Sequence, residues 1–163
     1  MKKIKYTEGQ WFAVPLRTNG YGIGIIVRGE YKTKGGIGYF FGPKYLEIPS
    51  GQDTFTKNKD NSTLICIFGD LGIINGEWPL IQNGKPFHRD EWPVPKFHRL
   101  APLRPGMAFL VEYPQDFVDI LRPLRETVVP VTPDILTLPS DGTFGYVAVE
   151  IELPRRIDSL DAV

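Results

Sequence analysis

Short β-forming runs, each ended by a glycine, a proline or an Asn-Gly pair, follow one another through the first seventy residues of this chain. Each is shorter than a typical helix, so strands are the structure that they predict. Asn19-Gly20 lies between the first two runs and is typical of a type I′ hairpin turn, whose two central positions both need positive φ. We therefore expect an antiparallel meander built on the runs at residues 9–16, 21–28 and 37–42, and a further, buried strand at residues 63–68.

Glycines recur within these runs, most densely at residues 20–24. A phosphate-binding loop would need the Gly-x-Gly-x-x-Gly spacing and a following helix, and this segment has neither. We interpret the glycines as places where a large ring, such as that of Trp11 or Phe40, packs directly on the backbone.

The second half of the chain is broken by prolines at residues 93, 95, 102 and 105, which exclude a regular helix between residues 86 and 105. Thr132 followed by Pro133 predicts a capped helical turn over residues 133–138. Strands are expected at residues 107–113, 117–122 and 144–153. The last of these segments also fits a helix, but its alternation favours a strand.

These segments together predict a mainly β fold. We expect a strongly bent antiparallel sheet, or a small partly open barrel of SH3-like kind, with long loops and at most one or two short helices. Nothing in the sequence divides the 163 residues, so we expect one domain with an ordered core over residues 8–153. The charged tail at residues 155–163 is expected to fray.

Composition limits the partners. Nineteen basic residues offset nineteen acidic ones, so no overall positive field would attract nucleic acid or an anionic membrane. No run of apolar residues is long enough to span a bilayer, and no apolar segment follows the N-terminal lysines as a leader would require. The lone Cys66 fits a reducing compartment, and the predicted location is the cytoplasm.

The sequence offers little for catalysis. Two histidines, His88 and His98, flank Asp90 and Glu91, and an extended loop could bring these four side chains together around a metal ion. The histidines are more simply explained as loop residues. Cys66 lies in an apolar run, where burial would keep the thiol protonated. We predict no catalytic residue, no metal and no cofactor.

A binding surface is the stronger hypothesis. Four carboxylates and two tryptophans cluster in the sequence and could form an acidic, aromatic-walled groove: Asp70, Glu77, Trp78, Asp90, Glu91 and Trp92. Such a groove would suit a cationic ligand or acid–base chemistry. Two simpler explanations stay open. Asp70 could cap a turn, and both Trp-Pro pairs could pack in the core.

The order of these motifs resembles the immunity protein 26 family. The similarity extends over roughly residues 8–153 and rests on the segments Gly9–Leu16, Gly20–Gly24, Gly38–Pro43, Phe68–Gly72, Gly76–Pro79 and Glu91–Pro93. Members are mostly inferred to be antidotes in bacterial polymorphic toxin systems, each binding a cognate toxin. Some relatives carry a small phosphotriesterase label.

The resemblance implies a β-rich fold and a binding role, with a toxin protein as partner, but it assigns no site residues. The six residues of the acidic groove are our own prediction of the contact surface. An alternative is a small phosphoester hydrolase that uses Asp70, Glu77, Asp90 or His88, although two histidines cannot supply a binuclear phosphotriesterase centre. A third hypothesis is a β module that binds a small ligand. An unpaired edge strand could also pair between chains, which leaves a homodimer open.

Overall fold

The computed structural model describes residues 2–116 and 122–161, and nine strands and three α-helices lie within them. The strands are β1 (Trp11–Pro15), β2 (Tyr21–Glu30), β3 (Gly35–Tyr45), β4 (Leu64–Gly69), β5 (Leu80–Ile81), β6 (Phe97–Leu100), β7 (Met107–Glu112), β8 (Arg125–Pro130) and β9 (Thr143–Phe144). The helices are α1 (Leu71–Ile74), α2 (Pro133–Thr137) and α3 (Tyr146–Asp161).

The main sheet has six strands in the order β5-β1-β2-β3-β4-β9. Strands β1 to β4 are sequential antiparallel neighbours, which confirms the meander predicted for the first three and extends it by β4, and β9 joins the edge in parallel with β4. The hairpin between β1 and β2 forms, with the Leu16 N–H donating to the Gly20 carbonyl at 2.9 Å. The type I′ assignment is wrong, because Gly20 has a φ of 73° while Asn19 does not have positive φ.

A second sheet has three antiparallel strands in the order β6-β7-β8. The predicted strand at residues 107–113 is confirmed as β7. The one expected at residues 117–122 falls almost entirely on residues outside the described part of the chain. Strand β6 was not expected, because the prolines on both sides of it hide a run of only four residues.

Two apolar cores lie on opposite faces of the main sheet. Side chains on β2 alternate between them, so Ile25 and Val27 enter one core while Ile26 enters the other. The first core, here called the sheet-side core, is closed by the second sheet and by the loop around Trp92. The other, the helix-side core, is closed by α3 and by Trp78.

Two strand glycines, Gly24 and Gly38, make room for aromatic rings, as expected. A Cβ at Gly38 would lie 2.7 Å from the Phe40 ring and 3.0 Å from that of Phe68. A Cβ at Gly24 would collide with Phe12 as well as Phe40. This confirms close approach of rings to the backbone as the reason for these glycines.

The strand predicted at residues 144–153 is wrong beyond Phe144, because the chain from Tyr146 to Asp161 is helical. Val149, Leu153 and Ile157 recur every four residues along α3 and fill the helix-side core. The tail expected to fray is therefore largely the second half of this helix. Pro154 lies inside it, where a proline normally leaves the carbonyl four residues earlier without its donor.

A distant backbone group replaces the donor that Pro154 lacks. The Glu150 carbonyl accepts a hydrogen bond at 3.2 Å from the N–H of Arg17, which lies in the loop between β1 and β2. The helix can therefore continue through the proline, because its freed carbonyl is satisfied by another segment.

The expected mainly β class is confirmed, in the form of two open sheets and not a closed barrel. The described residues hold three α-helices where at most two were expected. Of the helical predictions, α2 is confirmed with its cap, since the Thr132 hydroxyl oxygen accepts from the Ile135 N–H at 3.2 Å.

Candidate partner-binding site

The two tryptophans of the predicted groove are core residues. Trp78 is 0% exposed in the helix-side core, where its ring stacks on that of Phe12 at 5.5 Å between centroids. Trp92 is 1% exposed in the sheet-side core, where it meets the edge of the Tyr39 ring at 5.2 Å. They lie on opposite faces of the main sheet, so the expected aromatic-walled groove does not form. The Trp-Pro pairs are therefore explained by packing.

Asp70 is also buried, with 4% of its surface exposed. It occupies the N-cap position of α1, but its side chain does not bond the cap N–H groups. Its Oδ2 instead accepts the Tyr6 hydroxyl at 2.7 Å. Burial raises the pKa of the Asp70 carboxyl, and the Tyr6 hydrogen bond opposes that rise. Asp70 thus ties the N-terminal segment to the start of α1 and is not accessible to a partner.

The other three predicted residues are exposed, but they belong to two separate places. Glu77 lines a hollow together with Arg17 and Glu150 beside the helix-side core. Asp90 and Glu91 lie in a short 3-10 helix that ends against the buried Trp92. The structure thus separates Glu77 from Asp90 and Glu91. Only Asp90 and Glu91 are adjacent on one exposed segment.

Asp90 lines a cavity of about 450 Å³ that the sequence did not predict. The wall is formed by the end of β2, the 3-10 helix Arg89–Glu91 and the segment after β7, and its lining residues are Arg28, Arg89, Asp90, Pro93, Gln115 and Asp116. We call it the Arg28 pocket. Its only sequence signal is a single arginine at the end of an otherwise apolar strand.

A β-bulge sets the direction of the Arg28 side chain. The register between β2 and β3 shifts between Ile26 and Arg28, so that Arg28 pairs with Ile37. A bulge of this kind places two successive residues against one partner and can re-aim a side chain. Arg28 is 2% exposed, and its Nε donates to the Gln115 carbonyl at 2.8 Å.

The pocket is positively charged at its base. Burial lowers the pKa of the Arg28 guanidinium, and the neighbouring charge of Arg89 lowers it further. Arginine nevertheless stays protonated at neutral pH. Arg89 is held in place by Glu8 at 3.1 Å and by the Asp116 carbonyl at 3.1 Å.

The alternative metal site does not assemble. Within residues 2–116 and 122–161 no group of three His, Cys, Asp or Glu side chains is placed to hold a metal ion, so the grouping of His88, Asp90, Glu91 and His98 is not formed. The His98 Nδ1 lies 2.9 Å from the Leu138 carbonyl oxygen. Burial raises the pKa of the Cys66 thiol, which is the behaviour expected of a core cysteine.

A smaller cavity of about 300 Å³ lies between β4, β6 and α3. Its lining combines apolar side chains such as Leu64 and Phe144 with hydroxyl residues such as Ser62 and Thr137, and its ionisable groups are His98 and Arg156. Arg156 is paired with Glu152 on its own helix at 3.0 Å. Both of its ionisable groups therefore already have partners within the protein.

A comparison with protein families finds a match to the model described as immunity protein 26, over residues 7–108. That range is well over half of the chain. The chain belongs to the immunity protein 26 family. Its match covers β1 to β6 and the start of β7, and so includes Arg28, Arg89, Asp90 and Glu91.

Searches of curated proteins and of solved structures find no match. Family membership supports an immunity-type role and fits the mainly β fold. No helix in the described part of the chain has the length and apolar character needed to cross a membrane.

Proposed function

We propose that this immunity protein 26 family member binds a cognate bacterial toxin in the cytoplasm and blocks it by occupying its active site or substrate path, without catalysis. The observation that carries the proposal is the family match over residues 7–108. The lone, buried Cys66 is compatible with that compartment.

The contact surface that we propose is the segment Arg89–Glu91 with the mouth of the Arg28 pocket beside it. Asp90 and Glu91 are exposed, and neither side chain makes a hydrogen bond or ion pair within the described residues. Both carboxylates are therefore free to meet basic groups of a partner. A few such residues at the centre of an interface generally dominate its affinity.

The buried Trp92 holds this segment rigid. Its ring packs against Trp11, Tyr39 and Phe41, at centroid distances of 5.9, 5.2 and 6.0 Å. A rigid contact segment loses little conformational entropy on binding, which favours high affinity. Trp92 thus supports the proposed contact surface from within, whereas Trp78 lies on the opposite face of the main sheet and Glu77 lies elsewhere.

The first test is capture of a partner from the native host with tagged protein, combined with metal analysis of the same sample. The captured protein is then expressed in a host with and without this chain. The proposal expects a stoichiometric partner that stops growth alone and is tolerated when the two are expressed together. Bound zinc or manganese, with no partner, would instead support the hydrolase alternative.

The second test locates the contact surface by charge reversal. We expect Asp90→Lys with Glu91→Lys to weaken binding of the captured toxin at least ~10-fold, because two interface carboxylates become repulsive. Glu47→Lys with Asp158→Lys makes the same change of net charge at two exposed residues that form no ion pair within the described part of the chain, and should leave affinity unchanged. Equal effects of both pairs would exclude the 3-10 segment as the contact surface.

A further inference from the structure

Arg28 is a buried positive charge without a carboxylate partner among the described residues. Arginines are almost never fully buried unless an acid or another strong acceptor compensates them. The charge of Glu8 raises the pKa of Arg28, but the Glu8 carboxylate is already bonded to Arg89. The charge at the base of the pocket is therefore only partly compensated.

The guanidinium is also incompletely hydrogen-bonded. Nε donates to the Gln115 carbonyl at 2.8 Å and Nη1 to the Val27 carbonyl at 2.6 Å, whereas Nη2 has no acceptor among the described residues. Within that part of the chain, no side-chain nitrogen or oxygen is both fully buried and unbonded. Nη2 must therefore keep an accessible surface, and the cavity that Arg28 lines provides it.

We propose that the Arg28 pocket is an anion site that receives a carboxylate carried by the bound partner. This inference rests on the proposed function and names the chemistry of one partner group. Nη2 of Arg28 would donate to one carboxylate oxygen in a charge-assisted hydrogen bond, and the charge of Arg89 would stabilise the same anion. Gln115 positions the guanidinium, because its side chain bonds both the N–H and the carbonyl of Val94 while its own carbonyl holds Nε.

The charges around the pocket favour a carboxylate over a phosphate. Asp90 and Asp116 also line the cavity and are exposed at its rim. Their negative charges repel a dianion about twice as strongly as a monoanion at the same distance. One buried guanidinium with one accessible nitrogen therefore matches a single carboxylate, such as that of a glutamate or aspartate side chain.

The test uses the protein alone, with acetate as the probe. Thermal unfolding is followed in sodium acetate and in sodium chloride of equal ionic strength and pH, for the wild type, Arg28→Lys and the control Arg125→Lys. Arg125 is exposed on β8 and already paired with Glu112. We expect acetate to raise the Tm of the wild type and the control by ~2 °C in a saturating manner, because it binds only the native state. Arg28→Lys should lose most of that rise.

A rise of equal size in Arg28→Lys, or no rise above chloride in the wild type, would overturn the proposal. Phosphate at equal ionic strength is the second probe. A larger, Arg28-dependent rise with phosphate would overturn the carboxylate assignment in favour of a phosphoryl group.

Should Arg28→Lys fail to fold, the wild type alone gives the answer through the NMR signals of its arginine Nε–H groups. Acetate should shift the Arg28 signal in a saturating way and leave that of Arg125 in place; no shift at Arg28 counts against the site. Because these measurements need no toxin, their failure leaves the capture and growth tests standing, and the reverse also holds.

Discussion

At the scale of single residues, burial distinguishes the two tryptophans of the predicted groove from three of its acids. Trp78 and Trp92 are buried and stabilise the fold, whereas Glu77, Asp90 and Glu91 are exposed to solvent. Trp78 is enclosed by rings and donates its Nε1–H to the Glu150 carboxylate at 2.9 Å. That carboxylate also pairs with Arg17 at 2.8 Å, so one buried acid ties two other segments to α3. Trp78 thus contributes both apolar packing and a buried hydrogen bond to stability.

Removing the Trp78 side chain tests its role in the core. We expect Trp78→Ala to lower the free energy of unfolding by about 3–5 kcal/mol, because a large buried ring is replaced by a cavity and Glu150 loses a donor. Chemical denaturation measures the change. Trp78→Phe keeps most of the packing and should cost clearly less, and a loss below ~1 kcal/mol in the alanine variant would contradict its assignment to the core.

The sequence could not reveal that Arg28 lines a pocket. A single arginine after Ile-Ile-Val indicates the point where a strand leaves the core. Only the bulge between β2 and β3 turns the Arg28 side chain inward. The two tryptophans were ambiguous for a related reason. A Trp-Pro pair is equally compatible with a core and with a ligand surface until long-range packing decides.

At the scale of elements, α3 is where the sequence and the structure disagree most. Residues 144–153 fit both periods, and Pro154, which follows them, would ordinarily interrupt a helix. The Arg17 N–H that replaces the donor missing at Pro154 belongs to a segment more than a hundred residues away. No local sequence pattern could therefore predict it. The meander of β1 to β3 was predictable because both of its turns are short and contain or border a glycine.

Two substitutions distinguish the helix from the strand. In a strand, Ile151 and Leu153 would share one face, whereas in α3 Leu153 is 0% exposed and Ile151 is 48% exposed. We expect Leu153→Ala to lower the free energy of unfolding by about 2–5 kcal/mol and Ile151→Ala by less than ~0.5 kcal/mol. Urea denaturation of both variants gives the comparison. Similar losses for the two would contradict the helical assignment.

At the scale of the whole molecule, the two cores share the main sheet. Each of its central strands contributes side chains to both, so loss of one core exposes the backbone that supports the other. We infer that the described part of the chain unfolds cooperatively, and that a probe buried in one core reports on both.

Cys66 supplies such a probe, because it is fully buried beneath α3 in the helix-side core. We expect a thiol reagent at neutral pH to label it only through unfolding, since burial both blocks access and raises the pKa of the thiol. A destabilisation of ~3 kcal/mol by Leu153→Ala should then speed labelling about 100-fold. Rapid labelling of the native wild type would show that Cys66 reacts by local opening instead.

The hydrogen bond between Arg17 and the Glu150 carbonyl also concerns the order in which the chain is made. During synthesis β1 to β4 emerge first and can pair with one another. One face of their sheet stays uncovered until Val149, Leu153 and Ile157 of α3 are made. Until those residues leave the ribosome, Phe12, Phe40 and Phe68 have no helix to cover them. The nascent chain therefore passes through an interval in which a largely formed sheet exposes an aromatic surface. Chaperone binding or aggregation would occur in that interval.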